Sequence, residues 1–553
     1  MITMTSPFKI FIDRSRYEQA QRCLRSRYLE YHFGGTGITS SRKPLPLAVG
    51  SSVHEGLAYL LANGEACLKN ERLREENSLP SKDWFSVIED SAVAVALADF
   101  AEYQNALDPP DAERAIIEPS QSEINAAVGA ETDAPLHAMD ARRNEFDDYL
   151  FREQSALVEA MVRAYARRRL RPLLEEFEVL EVEREGKWKL GEYTVEGQGY
   201  DPLLGIPREW MELWFMSRPD ALLRHRQTNQ LYIQSYKTAA SWDMRKEKDA
   251  QHDMQGLSEG IEIERRLGQW WDVIQHAKET HTPVSMGREA DCPPAMQRYL
   301  FALDAPPRIH AVRMEYLLKS ERWVDKDLSM KYGVEMRSQR SPLIRQYVAV
   351  SVPQRGVAGY SIGDVNCSWD FIREDGREGS LAWQNFKSRP VWEEPGGIKA
   401  WIDKLDDAAP VMSGEDSTMG LEPRQLGYKC DAQVTGYLKN HPLDAVFVPP
   451  LVIYRSDDAL RDLVEQMEAS ERRIAEGVAA VNSAENADEV RHLLNINFPQ
   501  TLRACSYPSQ CQFVPICFGG EAIQHDPLGS GQFKTRRPNH PQEGENANTL
   551  KDS

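Results

Sequence analysis

The chain predicts an α/β protein: a small mixed sheet flanked by helices, with a helical N-terminal region and a cysteine-bearing C-terminal cap. Three observations lead there. Apolar and aromatic residues recur at helical spacing through 15–32, 84–108 and 146–178. From about residue 179 the pattern changes to short apolar strands bounded by turn residues. Three cysteines then crowd into CSYPSQCQFVPIC near the C-terminus.

The elements follow in order. Tyr17, Ala20, Leu24, Tyr28 and Tyr31 share one face of a first helix, and the Gly/Ser/Pro-rich loop FGGTGITSSRKPLP ends it. A second helix begins near Val49 and carries His54 and Leu57. An acidic Pro/Ala/Gly-rich stretch separates the helices at 84–108 and 146–178. FEVLEVEREGKWKL reads as one strand, ELWFMSRPDALLRHR as a second and QLYIQSYKT as a third. Residues 244–268 return to helix, and HAVRMEYLLKS reads as another strand. Short strands and tryptophans (Trp369, Trp383, Trp392) fill 345–400, and a helix runs from 457 to about 481. The expected units are 1–178, 179–344, 345–456 and 457–523, with a disordered polar tail at 524–553.

Composition narrows the class. At 553 residues the chain can bury a large core in two or more compact units. No apolar run approaches the roughly 20 residues that span a bilayer. The opening MITMTSPFKIFIDRSRYEQ lacks the apolar stretch and cleavage site of a signal peptide, which points to the cytoplasm. Lys+Arg of 66 against Asp+Glu of 85 gives a net charge of −19, which excludes a uniformly basic DNA-coating protein. A local basic groove could come from Arg14, Arg16, Arg22, Arg25 and Arg27, or from Arg163, Arg167, Arg168, Arg169 and Arg171; solvated helix faces account for both groups equally well.

Eight cysteines in so long a chain are no disulfide framework. Cys505, Cys511 and Cys517, with Cys23 in YEQAQRCLRSRYLEY, have the character of metal or iron–sulfur ligands. A zinc site or unrelated buried thiols is the competing reading. One cluster held by all four would pin the chain ends together and offset about 5 kcal/mol of loop-closure entropy. Cys67, Cys292, Cys367 and Cys430 have no such context and read as ordinary core or surface residues.

A second constellation runs through the predicted sheet: His54 in GSSVHEGL, Asp220 in SRPDALL, Lys237 in IQSYKTA and Gln255 in DMQGLSE. Phosphodiester hydrolysis needs a metal-activated water, a stabilised leaving oxygen and a cation near the scissile phosphate. Carboxylates suit Mg²⁺ or Mn²⁺, an imidazole suits Mn²⁺ as well, and a lysine can orient water. Each residue alone has a plainer reading: a hydrogen-bonded helix histidine, a turn aspartate, an exposed strand lysine, a solvated glutamine.

In this order the residues resemble the RecB-like branch of the PD-(D/E)XK nuclease superfamily, and more narrowly its iron–sulfur members (AddB-type recombination nucleases, CRISPR-adaptation nucleases, phage exonucleases). The resemblance runs discontinuously from about residue 15 to 520. It implies a PD-(D/E)XK core, a 4Fe–4S cluster on Cys23, Cys505, Cys511 and Cys517, and Mg²⁺ or Mn²⁺ on His54 and Asp220. Catalysis would involve Asp220, Lys237 and Gln255. The implied activity is DNA cleavage, as an exonuclease at ends or single strands in recombination, repair or phage replication. A helicase subunit is the implied partner, since the chain carries no Gly-x-x-x-x-Gly-Lys-Ser/Thr motif of its own. Three positions depart from the family pattern. Ser235 stands where the second acid belongs, Glu259 replaces a tyrosine, and the cysteines are spaced five and five residues apart instead of two and five. Ser235 opens an alternative, a lapsed nuclease that binds DNA or a protein partner. If cleavage persists, Glu212, Asp243, Glu247 or Asp253 would supply the missing carboxylate; Glu183, in EVEREG, precedes the core strands as a candidate neighbour of the site and is read as structural unless its distance shows otherwise.

Overall fold

The structure, a computed structural model, describes residues 8–40, 45–78, 83–105, 151–193, 211–239, 244–251, 254–281, 292–319, 323–324, 335–338, 347–351, 368–372, 378–382, 392, 395–407, 443, 446–506, 511–520, 523–524 and 526–536.

Strand β1 (Phe8–Ile12) leads into helix α1 (Arg14–Arg22), whose N-cap Asp13 accepts the Arg16 amide at 2.8 Å. The predicted first helix is two helices. Cys23 adopts extended backbone (φ −161°, ψ 114°) between α1 and α2 (Leu24–Tyr31). After β2 (Ile38–Ser40) comes α3 (Leu45–Glu76), which places Val49, Val53, Leu57, Leu60 and Leu61 in the core. Beside it lie α4 (Trp84–Asn105) and α5 (151–176), a helix with a π-helical turn at Ala166–Leu170. The α3–α5 crossing is tight: a Cβ on Gly56 would lie 2.7 Å from Val162 Cγ2.

Two expected strands each divide in two. FEVLEVEREGKWKL forms β3 (Phe177–Val182) and β4 (Gly186–Tyr193), and ELWFMSRPDALLRHR forms β5 (Met211–Ser217) and β6 (Ala221–His225). The paired ribbon bends where Glu183 faces Asp220, and each half enters a different sheet. Then follow β7 (Leu231–Ala239), α6 (Met244–Gln251), α7 (Met254–Thr280), α8 (Pro294–Phe301) and β8 (Ile309–Leu318). Strands β9 (Trp323–Val324), β10 (Glu335–Ser338) and β11 (Tyr347–Ser351) form a small sheet, and β12 (Ser368–Ile372) pairs with β13 (Glu378–Ala382). The chain closes with α9 (Gly397–Asp406), β14 (Leu451–Ile453), α10 (Asp457–Asn482), α11 (Ala487–Asn497), α12 (Val514–Phe518) and β15 (Phe533–Thr535).

The main sheet has five strands in the order β14-β8-β7-β6-β3. Strands β3, β6 and β7 are an antiparallel meander, while β8 returns parallel to β7 after α7 and α8. On one face, α3, α4 and α5 cover Ala221, Leu223 and Tyr236; on the other, α7 and α8 cover Leu222, Ile233 and Met314. Alternation along β6 and β7 therefore serves two cores, which is why both strands read as nearly continuous apolar runs. The second sheet, β1-β5-β4, packs Trp188, Leu213 and Phe215 against Ile261 of α7 and Leu463 and Met467 of α10.

The chain ends meet. Ala20, Tyr28, Leu29 and Ile38 share a core with Ile474, Phe498, Phe513 and Phe533. A buried Arg27–Glu471 pair at 2.8 Å spans the same junction. Two expectations change here. The tail at 524–553 is not wholly disordered: β15 pairs with β2, and Phe533 stacks on Phe513 at 6.0 Å. One well-placed aromatic anchors a segment whose average composition is polar. Likewise β14, assigned to the 345–456 unit, is the edge strand of the main sheet. Among the described residues, no helix is long and apolar enough to cross a membrane.

Most arginines of both groups are held in ion pairs with nearby acids. Arg163 binds Glu89 and Asp90 at 2.7 Å and Glu159 at 2.8 Å; Arg167 binds Glu89 and Asp403, Arg169 faces Glu315, and Arg171 binds Glu71. In the N-terminal group, Arg14 pairs with Glu18, Arg16 with Asp13, and Arg27 with Glu471. The acidic balance of the chain is spent partly on holding helices together.

Candidate metal centre

His54, Glu183 and Asp220 each offer one ligand atom, and the three atoms lie within 4.8 Å of one another. Three elements converge to place them. His54 sits on α3, where Val53 and Leu57 are inside the core and the imidazole stays at the rim. Asp220 caps the bend before β6, with Oδ2 accepting the Tyr236 amide at 2.5 Å. Glu183 ends β3 with φ +46°, a left-handed conformation that costs a non-glycine residue about 1–3 kcal/mol and recurs at functional sites. That turn directs its carboxylate beside Asp220.

The electrostatics of the three groups are compatible with a divalent cation. Burial pushes the Glu183 carboxyl up to about 6, the Asp220 and Glu55 charges push the same way, and Arg218 and His54 oppose them. Burial also raises Asp220, but His54, the Tyr236 amide and Lys237 outweigh it and leave its carboxyl below the usual range. His54 Nδ1 is 3.4 Å from Asp220 Oδ1. Two carboxylates and an imidazole are a donor set for Mn²⁺ or Mg²⁺. Donors around one such octahedral ion stand about 3–4 Å apart, so only a small closure is needed.

Glu183, read from the sequence as structural unless distance shows otherwise, lies close enough to His54 and Asp220 to share an ion with them. The sequence did not assign it as a donor because FEVLEVEREG reads as one continuous strand, which would leave Glu183 an ordinary strand residue. Of the other acids considered, Glu212 is engaged by Lys189 at 2.8 Å and by the Trp214 indole at 2.9 Å. Glu247 lies on α6 and is not part of the three-residue group. Asp243 and Asp253 lie outside the described residues.

Lys237 is near enough for its charge to act on Asp220. Ser235 is fully buried, its hydroxyl has no hydrogen-bond partner among the described residues, and it sits across from Met314 of β8. Gln255 is the second residue of α7, but its side chain lies outside the described residues. Glu259, at the family's tyrosine position, is buried on the same helix. Tyr236, which no motif singled out, supports the centre from below. Its ring meets His54 edge-on at 6.4 Å, and its hydroxyl is hydrogen-bonded to that of Tyr165.

Cys23 and the three C-terminal cysteines are all among the described residues, and their sulfurs do not form a group as close as that of His54, Glu183 and Asp220. Cys23 is buried and its Sγ accepts the Thr501 amide at 3.4 Å. The Cys511 amide donates to the Cys505 carbonyl at 2.9 Å, and Cys517 lies in α12. Burial pushes the Cys517 thiol up to about 11; Arg25 opposes this, while the charges of Cys511, Cys23 and Cys505 add to it. Burial likewise raises Cys511, with Cys23 and Cys505 contributing. Cys67 and Cys292 are buried elsewhere, in the two cores that flank the main sheet. Trp392 packs partly buried against the α3–α5 core, while the side chains of Trp369 and Trp383, and Cys367 and Cys430, lie outside the described residues.

No protein-family model matches the chain, and no curated protein matches its sequence.

Proposed function

We propose that the chain is a metal-dependent nuclease of the PD-(D/E)XK type that cleaves DNA and carries a structural 4Fe–4S cluster. The observation that carries this reading is the convergence of His54, Glu183 and Asp220 at the bend of the β3–β6 ribbon, with the Lys237 charge beside them. The element order supports it: a helix with His54, successive strands with Asp220 and Lys237, then a crossover helix opened by Gln255 to a parallel strand.

Bound there, Mg²⁺ or Mn²⁺ would supply Lewis acidity to a phosphoryl oxygen and an acidified water. His54, Glu183 and Asp220 would hold it. Lys237 keeps an ammonium next to the site, where it orients the attacking water and offsets charge that develops on the phosphate. Tyr236 fixes Asp220 through its amide and His54 through its ring. Cys23, Cys505, Cys511 and Cys517 would hold the cluster far along the chain from this chemistry, so its role is to tie the ends together. A helicase partner rests on the resemblance alone.

The test is cleavage of single- and double-stranded DNA by cluster-loaded protein in Mg²⁺ and in Mn²⁺, with Asp220→Asn and Lys237→Met as controls. Cleavage by the parent that both substitutions abolish is the expected result. The lapsed-nuclease alternative rests on Ser235, and it predicts DNA binding that needs no metal and no cleavage in either ion. On the nuclease reading, Glu183 would supply the carboxylate that Ser235 lacks.

A further inference from the structure

Behind the candidate metal centre a buried row of rings runs from α3 across β7 to α5. Tyr236 meets His54 edge-on at 6.4 Å, and Tyr165 meets Tyr236 edge-on at 5.4 Å with an interplanar angle of 89°. The two tyrosine hydroxyls are hydrogen-bonded to each other. Phe447 closes the row against Tyr165 at 6.2 Å. Both tyrosines are fully buried, so neither hydroxyl is open to bulk water.

The surroundings hold this pair in one orientation. Tyr165 immediately precedes the π-helical turn Ala166–Leu170, a distortion that recurs at functional sites. Arg169 of that turn faces Glu315 at 3.4 Å, and Glu315 is the register partner of Tyr236 on β8. Tyr165 and Arg169 of α5 thus reach two neighbouring residues of β7 and β8. Arg313 holds the Glu315 carboxylate at 3.0 Å and donates to Gln234 of β7 at 2.6 Å. The α3–α5 crossing is close-packed at Gly56 and Val162, two residues from His54 and three from Tyr165. Tyr236 in turn bears on two of the donors: its amide donates to Asp220 Oδ2 at 2.5 Å, and its ring lies against His54.

We propose that Tyr165 is a positioning residue of the metal centre: through the paired hydroxyls it fixes the Tyr236 ring, and that ring fixes the His54 imidazole beside Asp220. This rests on the metal site of the reading above and not on the identity of the substrate. Without the Tyr165 hydroxyl, the Tyr236 hydroxyl is left unsatisfied in a site closed to water, or its ring turns to find another partner. The imidazole then loses the wall that sets its rotamer. Groups that orient a metal ligand directly are worth about 10–100-fold in metal affinity. Tyr165 acts one step further out, so about 3–10-fold is expected.

The experiment uses the full chain and Mn²⁺ alone as the probe, with affinity read by titration calorimetry. Tyr165→Phe keeps the ring and orphans the Tyr236 hydroxyl, so its thermal midpoint should fall. Tyr165→Phe combined with Tyr236→Phe removes both hydroxyls and should recover most of that stability, because apolar groups of the same shape replace the pair. Mn²⁺ affinity should drop about 3–10-fold in the single and the double variant alike, without returning as stability does. On DNA, kcat should fall by a similar factor with KM unchanged. Affinity that recovers with stability in the double variant would overturn the assignment and leave the pair as ordinary core. Equal Mn²⁺ affinity in the parent and Tyr165→Phe would overturn it as well. Weakened Mn²⁺ binding in Tyr165→Phe from a parent that cuts no DNA supports the assignment and sinks the nuclease reading alone. A parent that binds no Mn²⁺ sinks both.

Discussion

The amide of Glu183 donates to the carbonyl of Asp220 at 3.1 Å. A backbone hydrogen bond thus joins the two carboxylate-bearing residues of the candidate site across the bend of the β3–β6 ribbon. Their spacing is set by the main chain, before any side-chain rotamer is chosen. Glu183→Gln keeps that bond and the side-chain size, so it should fold like the parent. Activity should fall by more than about 100-fold, beyond the range typical of groups that merely support a ligand. Mn²⁺ titration calorimetry should show the same loss. Near-parental activity would return Glu183 to a structural role.

Proton and metal compete for Glu183. With its carboxyl pushed up to about 6, chiefly by burial, the folded metal-free protein takes up a proton there before the unfolded chain does. Its contribution to stability is present below the ordinary carboxylate range and is lost as pH rises through about 6. Metal affinity runs the other way. The apparent Mn²⁺ affinity should weaken about tenfold for each pH unit below about 6. Calorimetry in buffers of different ionisation enthalpy reads the released proton; affinity that is flat from about pH 5 to about pH 7 contradicts it.

Ser235 sits where the superfamily pattern places an acid, yet it is fully buried and its hydroxyl has no hydrogen-bond partner among the described residues. Ser235→Ala removes nothing the fold uses. Activity should stay within about threefold and stability should hold or rise slightly, since an unsatisfied buried hydroxyl costs about 1–3 kcal/mol. Ser235→Asp buries a charge and should lower the thermal midpoint without raising activity. Faster cleavage by Ser235→Asp would mean that Glu183 is not the missing donor.

Much of this was legible from residue patterns, and the failures share a cause. Helical spacing located α3 and α10, the single helix expected at 244–268 is α6 and the first part of α7, and motif order singled out His54 and Asp220, which the fold brings together. What escaped depends on which residues face one another across strands. Glu183 comes beside Asp220 only because two segments, each apolar enough to read as one strand, break opposite each other. Tyr165 and Tyr236 meet from distant segments, and Phe533 orders a polar tail through a single ring on Phe513. Local sequence records none of these pairings.

The cysteines carry a separate prediction. Anaerobically purified protein should contain iron and acid-labile sulfide and show broad visible absorbance. Cys23→Ala should abolish that absorbance and destabilise the chain by about 5 kcal/mol, the loop-closure entropy that the cluster would otherwise offset. Cys292→Ala, in the core between α7 and α8, should lose stability but keep the colour. Equal colour in all three proteins would remove Cys23 from the ligand set.

Lys319, which follows β8 and donates its ammonium to the Pro46 carbonyl, adds a pH signature of its own. Desolvation lowers its amine from 10.5 to about 8, so between those values the unfolded chain binds the proton that the folded chain has released. Stability from this residue therefore rises with pH across that window; below it, the charged form is present in both states and the full penalty applies. Urea unfolding at about pH 7 should find Lys319→Met more stable than the parent, and the gap should close by about pH 10. A stability gap independent of pH would show that the ammonium is hydrated and not desolvated against Pro46.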